Sequence, residues 1–291
     1  MKAPSAPIVV GVDGSASALS AVTWAALECA RHNVALRLVH AYVLPTRGYP
    51  AIILTGNEIR QAIEQLGRDK LDEATAAARA AAPDVEVTTE IVCCGSTTLL
   101  IEESKTARLV AVGSQGLGTV TGMIVGSTAL ALAAHGKSPV VVVRGTAVAN
   151  GPVVVGVDGS PTSEAALAFA FETASMRSAP LTVLMCWQDF MVESAYTASR
   201  FSVDWEQVEA DERRLLAQRL AGWQEKYPDV QVQPVVVRDR PVRALIRYGA
   251  EAQLVVVGSH GHGGFAGMLL GSTSQALVYN APCPLAIVRP E

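Results

Sequence analysis

Apolar positions along this chain fall into two alternating rhythms. Short unbroken runs rich in Val, Ile and Leu occur at Ile8 to Val12, Leu36 to Val43, Val85 to Cys93, Leu109 to Val112 and Val140 to Val143. Their length and β-branched content predict strands buried on both faces. Between them lie stretches with helical spacing. Ser15 is placed to cap a helix whose apolar stripe runs through Leu19, Val22, Ala25, Ala26 and Cys29. A loop with Pro45, Gly48 and Pro50 precedes a long helix over about Asn57 to Ala82, and shorter helices are predicted over Thr97 to Lys105 and Ser127 to His135. Strands that alternate with helices predict a parallel sheet covered by helices on both faces.

The same plan then runs a second time at a constant offset of 145 residues. Val9 to Ser15 reads VVGVDGS, and so does Val154 to Ser160. Gly113, Gly116, Gly118, Gly122, Gly126 and Ser127 return as Gly258, Gly261, Gly263, Gly267, Gly271 and Ser272, and Pro139 and Arg144 return as Pro284 and Arg289. A period this long is a whole domain rather than a solenoid unit. The expected domains are residues 1–146 and 152–291, joined near Gly145 to Gly151. In the second copy the strands are expected at Val153 to Val157, Leu181 to Trp187, Val232 to Val237, Leu254 to Val257 and Leu285 to Val288, with a helix carrying Trp205, Val208, Leu215, Leu216 and Trp223.

Composition narrows the function. Half of the 291 residues are apolar and 17% are charged, which excludes intrinsic disorder. The net charge is −4, and neither copy carries the basic excess that nucleic acid or an anionic membrane requires. No apolar run reaches ~18 residues, so no membrane span is expected, and the N-terminus lacks a signal-type apolar region. The five cysteines, Cys29, Cys93, Cys94, Cys186 and Cys283, have no zinc spacing, and the adjacent pair is read as small residues ending a strand. These features predict a cytoplasmic protein in a reducing compartment.

The candidate chemistry lies where strands end, because open α/β sheets bind ligands at the carboxyl ends of their strands. Asp13 and Asp158 follow the first strand of each copy. An Asp-Gly-Ser sequence alone reads as a turn and cap. The loops after the fourth strands read GSQGLGTVTGMIVGST from Gly113 and GSHGHGGFAGMLLGST from Gly258. Glycines let backbone N–H groups approach phosphate oxygens, and the closing Gly-Ser-Thr opens a helix whose free N–H groups favour an anion. Neither loop is a Walker A or a dinucleotide fingerprint. His260 and His262 in the second loop lack an evident third metal ligand and read as solvated. Arg238, Arg240 and Arg243 follow the third strand of that copy, with Asp239 among them.

With Gly-x2-Gly, nine residues and Gly-Ser present twice, the chain resembles the universal stress protein family, in particular its tandem ATP-binding members. The resemblance spans nearly the whole chain. It implies two tandem Rossmann-like or flavodoxin-like α/β domains, each a five-stranded parallel sheet of order 3-2-1-4-5 with helices on both faces. It also implies ATP with Mg2+ as ligand, with Val12 and Asp13 on the adenosine and the Ala41 backbone at the adenine edge. Gly113, Ser114, Gly116 and Gly118 would line the ribose and inner phosphate, and Gly126, Ser127 and Thr128 would hold the outer phosphates. The equivalent second set is Val157, Asp158, Cys186, Gly258, Ser259, Gly261, Gly263, Gly271, Ser272 and Thr273. Thr119 replaces the Gly264 of the second loop.

Three functions compete on this basis. The family resemblance favours a nucleotide-dependent stress-response regulator. A slow ATPase is the alternative, but neither glycine loop contains Lys, Arg, Asp or Glu for phosphoryl transfer. A structural protein without ligand is disfavoured by two intact loops. The short apolar final strands, Val140 to Val143 and Leu285 to Val288, are expected at sheet edges, where the family pairs its subunits, so the two copies are expected to pair through them and the tandem chains to form a homo-oligomer, a dimer, in addition.

Overall fold

The computed structural model describes residues 5–44, 56–116, 126–187, 205–261 and 269–290. It realises the alternation of strand and helix twice, in one unit containing Met1–Arg144 and another containing Gly145–Pro290.

In the first unit the strands are β1 (Ile8–Gly11), β2 (Leu36–Tyr42), β3 (Val87–Cys93), β4 (Leu109–Gly113) and β5 (Val140–Val143). They lie in the order β3-β2-β1-β4-β5, every neighbouring pair parallel. The helices are α1 (Ala16–His32), α2 (Gly56–Ala81), α3 (Ser96–Glu103) and α4 (Ser127–His135). α1 packs with α2 against the sheet, and α3 packs with α4 on the other face. Ser15 caps α1, its hydroxyl accepting from Ala18 N at 3.1 Å. The buried stripe of α1 differs from the expected one. Ala18 and Ala21 are buried and Leu19 is only half-buried, because small side chains let the helix lie close on the sheet. α1 closes on Asn33 in the left-handed region, φ 50°. Cys93 ends β3 as expected but is exposed, since β3 closes one side of the unit's strand order and its outer positions face solvent.

The second unit repeats this with β6 (Val153–Val157), β7 (Leu181–Cys186), β8 (Val232–Val237), β9 (Leu254–Gly258) and β10 (Leu285–Val288), in the order β8-β7-β6-β9-β10. Its helices are α5 (Pro161–Arg177), α6 (Trp205–Lys226), α7 (Pro241–Gly249) and α8 (Ser272–Asn280). Ser160 caps α5, Pro161 occupies the first turn where its missing N–H costs nothing, and the helix closes on Ser178 with φ 49°. Phe171 is fully buried and stacks on Trp223 and Tyr227 of the α6 end, with ring centroids 5.6 Å away in each case. Residues 145–151 are fastened to this unit rather than slack. Thr146 N donates to Pro282 O at 3.0 Å, Val148 N to Ala252 O at 3.1 Å, and Gln253 Nε2 to Gly151 O at 2.7 Å.

Candidate phosphate-binding cradles at the carboxyl ends of the strands

In each unit the order of strands reverses beside its first strand, so the loops after β1 and β4, and after β6 and β9, splay apart and leave a crevice. Val12 continues the ladder past β1, its N–H donating to Val39 O at 2.9 Å. Asp13 then turns the chain. Its Oδ1 accepts from Ser15 N at 2.9 Å, and Gly14 takes φ +86°, a conformation that suits glycine. Asp158 does the same with Ser160 N at 3.0 Å, and Gly159 has φ +81°.

The second carboxylate oxygen of each aspartate faces the glycine loop. A β-carbon on Gly116 would stand 2.9 Å from Asp13 Oδ2, and one on Gly261 would collide with Asp158 Oδ2. Gly113 and Gly258 have a packing duty as well. A β-carbon there would lie 2.6 Å from the backbone carbon of Ser17, or 2.9 Å from that of Thr162. Their absence of side chain lets α1 and α5 start directly against the strand end. Across this contact Ser15 Oγ donates to Gln115 O at 3.2 Å and Gln115 N donates to Ser17 Oγ at 3.1 Å.

Ser114 and Ser259 close the bases of the loops. Ser114 N donates to Val143 O at 3.2 Å and Ser114 O accepts from Gly126 N at 3.0 Å. Ser259 N donates to Val288 O at 2.7 Å and its carbonyl accepts from Gly271 N at 2.8 Å. Each loop is thereby pinched so that Gly126 or Gly271 opens a helix beside the aspartate. Neither glycine offers a capping side chain, which leaves the first-turn N–H groups of α4 and α8 for an outside acceptor. Among the described residues, the nearest atom to a β-carbon on Gly126 would be Gly116 N at 3.9 Å. Gly271 is closer-set, 3.2 Å from His260 Cα by the same measure. Gly118 and Gly263, with Thr119, His262 and Gly264, lie outside the described residues.

Of the remaining expected residues, Ala41 stands near the end of β2, half-buried, and Cys186 ends β7. Burial, with the negative charge of Asp239 second, pushes the Cys186 thiol up to about 12, so it is neutral and no nucleophile at ordinary pH. Val157 is buried at the end of β6. Thr128 is met by two hydroxyls from α3, Ser96 Oγ at 3.1 Å and Thr97 Oγ1 at 3.5 Å, so hydroxyls cluster where the outer phosphates are expected. Among the described residues no group of three His, Cys, Asp or Glu could hold a metal ion.

Several shaping residues were missed from sequence. His40 Nδ1 contacts Val12 O, Arg219 lies over Gly159, and Arg289 Nη2 donates to Leu269 O at 2.9 Å, pinning the second loop just before Gly271. Only Arg289 left a sequence signal, through its repetition of Arg144.

Comparison with known proteins adds four findings. The model of the universal stress protein family matches residues 5–144 and again 150–289. A universal stress protein of Mycolicibacterium smegmatis is 41% identical over 297 residues, covering 97% of both chains. The crystal structure of a universal stress protein from Archaeoglobus fulgidus superimposes with a TM-score of 0.69 at 18% identity, over 98% of each chain. A shorter solved universal stress protein, described in complex with cAMP, is 30% identical and covers 48% of this chain, with a TM-score of 0.35.

Proposed function

The chain belongs to the universal stress protein family, carrying its domain twice, and from that premise we propose that it is an ATP-binding regulator with one nucleotide site per unit. The observation that carries the reading is the cradle itself. In each unit an uncapped helix start, opened by a glycine, follows a glycine loop that the aspartate's second oxygen faces, at the end of the fourth strand. The α4 and α8 N–H groups suit phosphate, and the second oxygen of Asp13 or Asp158 suits a ribose hydroxyl. Ala41 and Cys186, at the ends of the neighbouring strands, would present backbone to the base. Magnesium, when bound, supplies charge neutralisation on the phosphates, and Ser127, Thr128, Ser272 and Thr273 are the hydroxyls that would face it.

Binding rather than turnover is the event. Phosphoryl transfer calls for a cation and a metal-holding carboxylate built into the loop that grips the outer phosphates. Residues 113–128 and 258–273 contain none of Lys, Arg, Asp or Glu.

Quantifying adenine nucleotide released on denaturing the purified protein tests the reading directly. Calorimetric titration then assigns the sites. Asp13→Ala and Asp158→Ala should each abolish one of two binding events, and the double variant both, at a cost of roughly 1.5–3 kcal/mol per site. That corresponds to about ten- to hundredfold in affinity. A double variant with both events intact would overturn the assignment. A light-scattering mass of twice 30.5 kDa is the expected sign of a dimer of chains.

A further inference from the structure

The two units share a backbone plan but carry opposite charge where the third strand hands over to its helix. Residues 93–105 of the first unit hold Glu102, Glu103 and Lys105, a formal charge of −1. The equivalent residues 238–250 hold Arg238, Arg240, Arg243 and Arg247 against Asp239, a formal charge of +3. This segment adjoins the cradle. In the first unit, Ser96 and Thr97 at the start of α3 reach Thr128 at the start of α4. In the second, α7 packs on α8 in the same way, and the positions of Ser96 and Thr97 are taken by Pro241 and Val242, which bear no hydroxyl. Arg240 precedes them as the N-cap residue of α7, and Arg243 follows within its first turn.

Asp239 pairs with Arg243 and Arg247 and offsets one of the four positive charges, which leaves +3. Its Oδ1 accepts from Arg240 N at 2.8 Å, while its Oδ2 stands 3.8 Å from Arg243 Nε and 3.9 Å from Arg247 Nη1, too far for hydrogen bonds. The Arg243 side chain is 79% exposed. Arg238 lies over the Trp187 ring at 5.7 Å, beside Cys186. The segment that packs beside the second cradle is thus cationic, and its counterpart beside the first offers hydroxyls.

Resting on the nucleotide reading, we infer that the second unit selects ligands with more phosphate charge, nucleoside triphosphates over monophosphates, through Arg240 and Arg243, and that the first unit discriminates less. Arginine suits this task, since its fork of donors matches phosphate oxygens. An outer phosphate within roughly 8 Å of the cluster stays inside the screening length at physiological salt.

Titration of AMP, ADP and ATP into Asp13→Ala chains, which leave the second site, and Asp158→Ala chains, which leave the first, tests this. At the second site affinity should climb about tenfold or more from AMP to ATP, and the climb should flatten as salt is raised. Adding Arg240→Ser and Arg243→Thr should reduce that climb to within roughly threefold, with the loss growing with phosphate number, whereas Arg240→Lys and Arg243→Lys should keep most of it. Matching circular dichroism melts guard against misfolding. An unchanged climb in the Ser/Thr variant, or a steeper climb at the first site, overturns the inference. Equal affinity for all three nucleotides overturns it alone, and no binding of any nucleotide by the unmutated chain overturns the nucleotide reading with it.

Discussion

The imidazole Nδ1 of His40 donates to the carbonyl oxygen of Val12 across 2.6 Å, fixing the residue that leads into Asp13. Val12 is thereby held at both backbone groups, since its N–H already bonds Val39. The buried ring needs room, and Gly67 in the middle of α2 provides it. A β-carbon on Gly67 would lie 2.7 Å from His40 Cδ2 and 3.4 Å from Ile91 Cδ1. The second unit has Met185 and Glu212 at these positions, so this bond is particular to the first.

Gly67→Ala should therefore destabilise the chain, although alanine is the better helix former by about 0.5–1 kcal/mol. Overpacking against a tethered ring costs about 1–3 kcal/mol, so the net loss is expected near 1–2 kcal/mol. Combined with His40→Ala, the same substitution should cost less, because the new methyl enters vacated space. A urea-denaturation double-mutant cycle measures this, and strictly additive losses would refute the packing relationship.

The loop glycines separate structural from ligand-directed roles. Gly113→Ala should cost about 1–3 kcal/mol, since its β-carbon meets the backbone of Ser17, which cannot swing aside. Gly126→Ala meets no atom of the described residues nearer than 3.9 Å and has a backbone φ of −59° that any residue adopts. It should melt with the parent yet lose nucleotide affinity by about tenfold or more through crowding of the phosphate. Thermal melts paired with calorimetry distinguish them. Equal destabilisation by the two substitutions would show that Gly126 is held for packing instead.

The thiols make a prediction about pH. Burial pushes Cys29, Cys186 and Cys283 each up to about 12 from an ordinary value of 9.0. The unfolded chain then gives up these protons first. Their stabilising contribution is complete below about pH 9 and is lost as pH climbs toward 12, by about 1.4 kcal/mol per thiol per pH unit inside that window. Replacing the three by alanine should flatten the alkaline fall in stability. In the native protein at pH 8, mass spectrometry after brief iodoacetamide treatment should find the exposed Cys93 modified ahead of these three. Early modification of Cys29 or Cys283 would contradict their burial.

What the sequence disclosed is what local pattern and repetition can carry. The alternation of apolar runs and helical stretches, and the offset of 145, foretold the ten strands, while their order within each unit was implied by the family resemblance. Strand and helix ends drifted by a residue or two, as at β3, where Val85 and Glu86 lie outside the strand. The aspartates and glycine loops were legible because glycine and turn residues act through the backbone of their own segment. His40, Arg219 and the Ser96–Thr128 hydroxyl contact were not, because each joins residues far apart in the chain through a side chain whose type is common anywhere. The buried stripe of α1 was misplaced by counting Leu19 as core, where close approach to a sheet favours Ala18 and Ala21.

Asn33 and Ser178, one at the end of α1 and the other at the end of α5, hold the same left-handed backbone with different side chains. Duplication has in effect run a substitution experiment on one joint. Asparagine visits this region readily, whereas most L-residues carry roughly 1–2 kcal/mol of strain there. The second copy therefore carries a strain that the first does not, and heat resistance should be gained at position 178 without touching either cradle. Ser178→Asn or Ser178→Gly is expected to stabilise the second unit by about 0.5–1 kcal/mol, a rise of a few degrees in its melting temperature. The exchange in the other direction, Asn33→Ser, should lower that of the first.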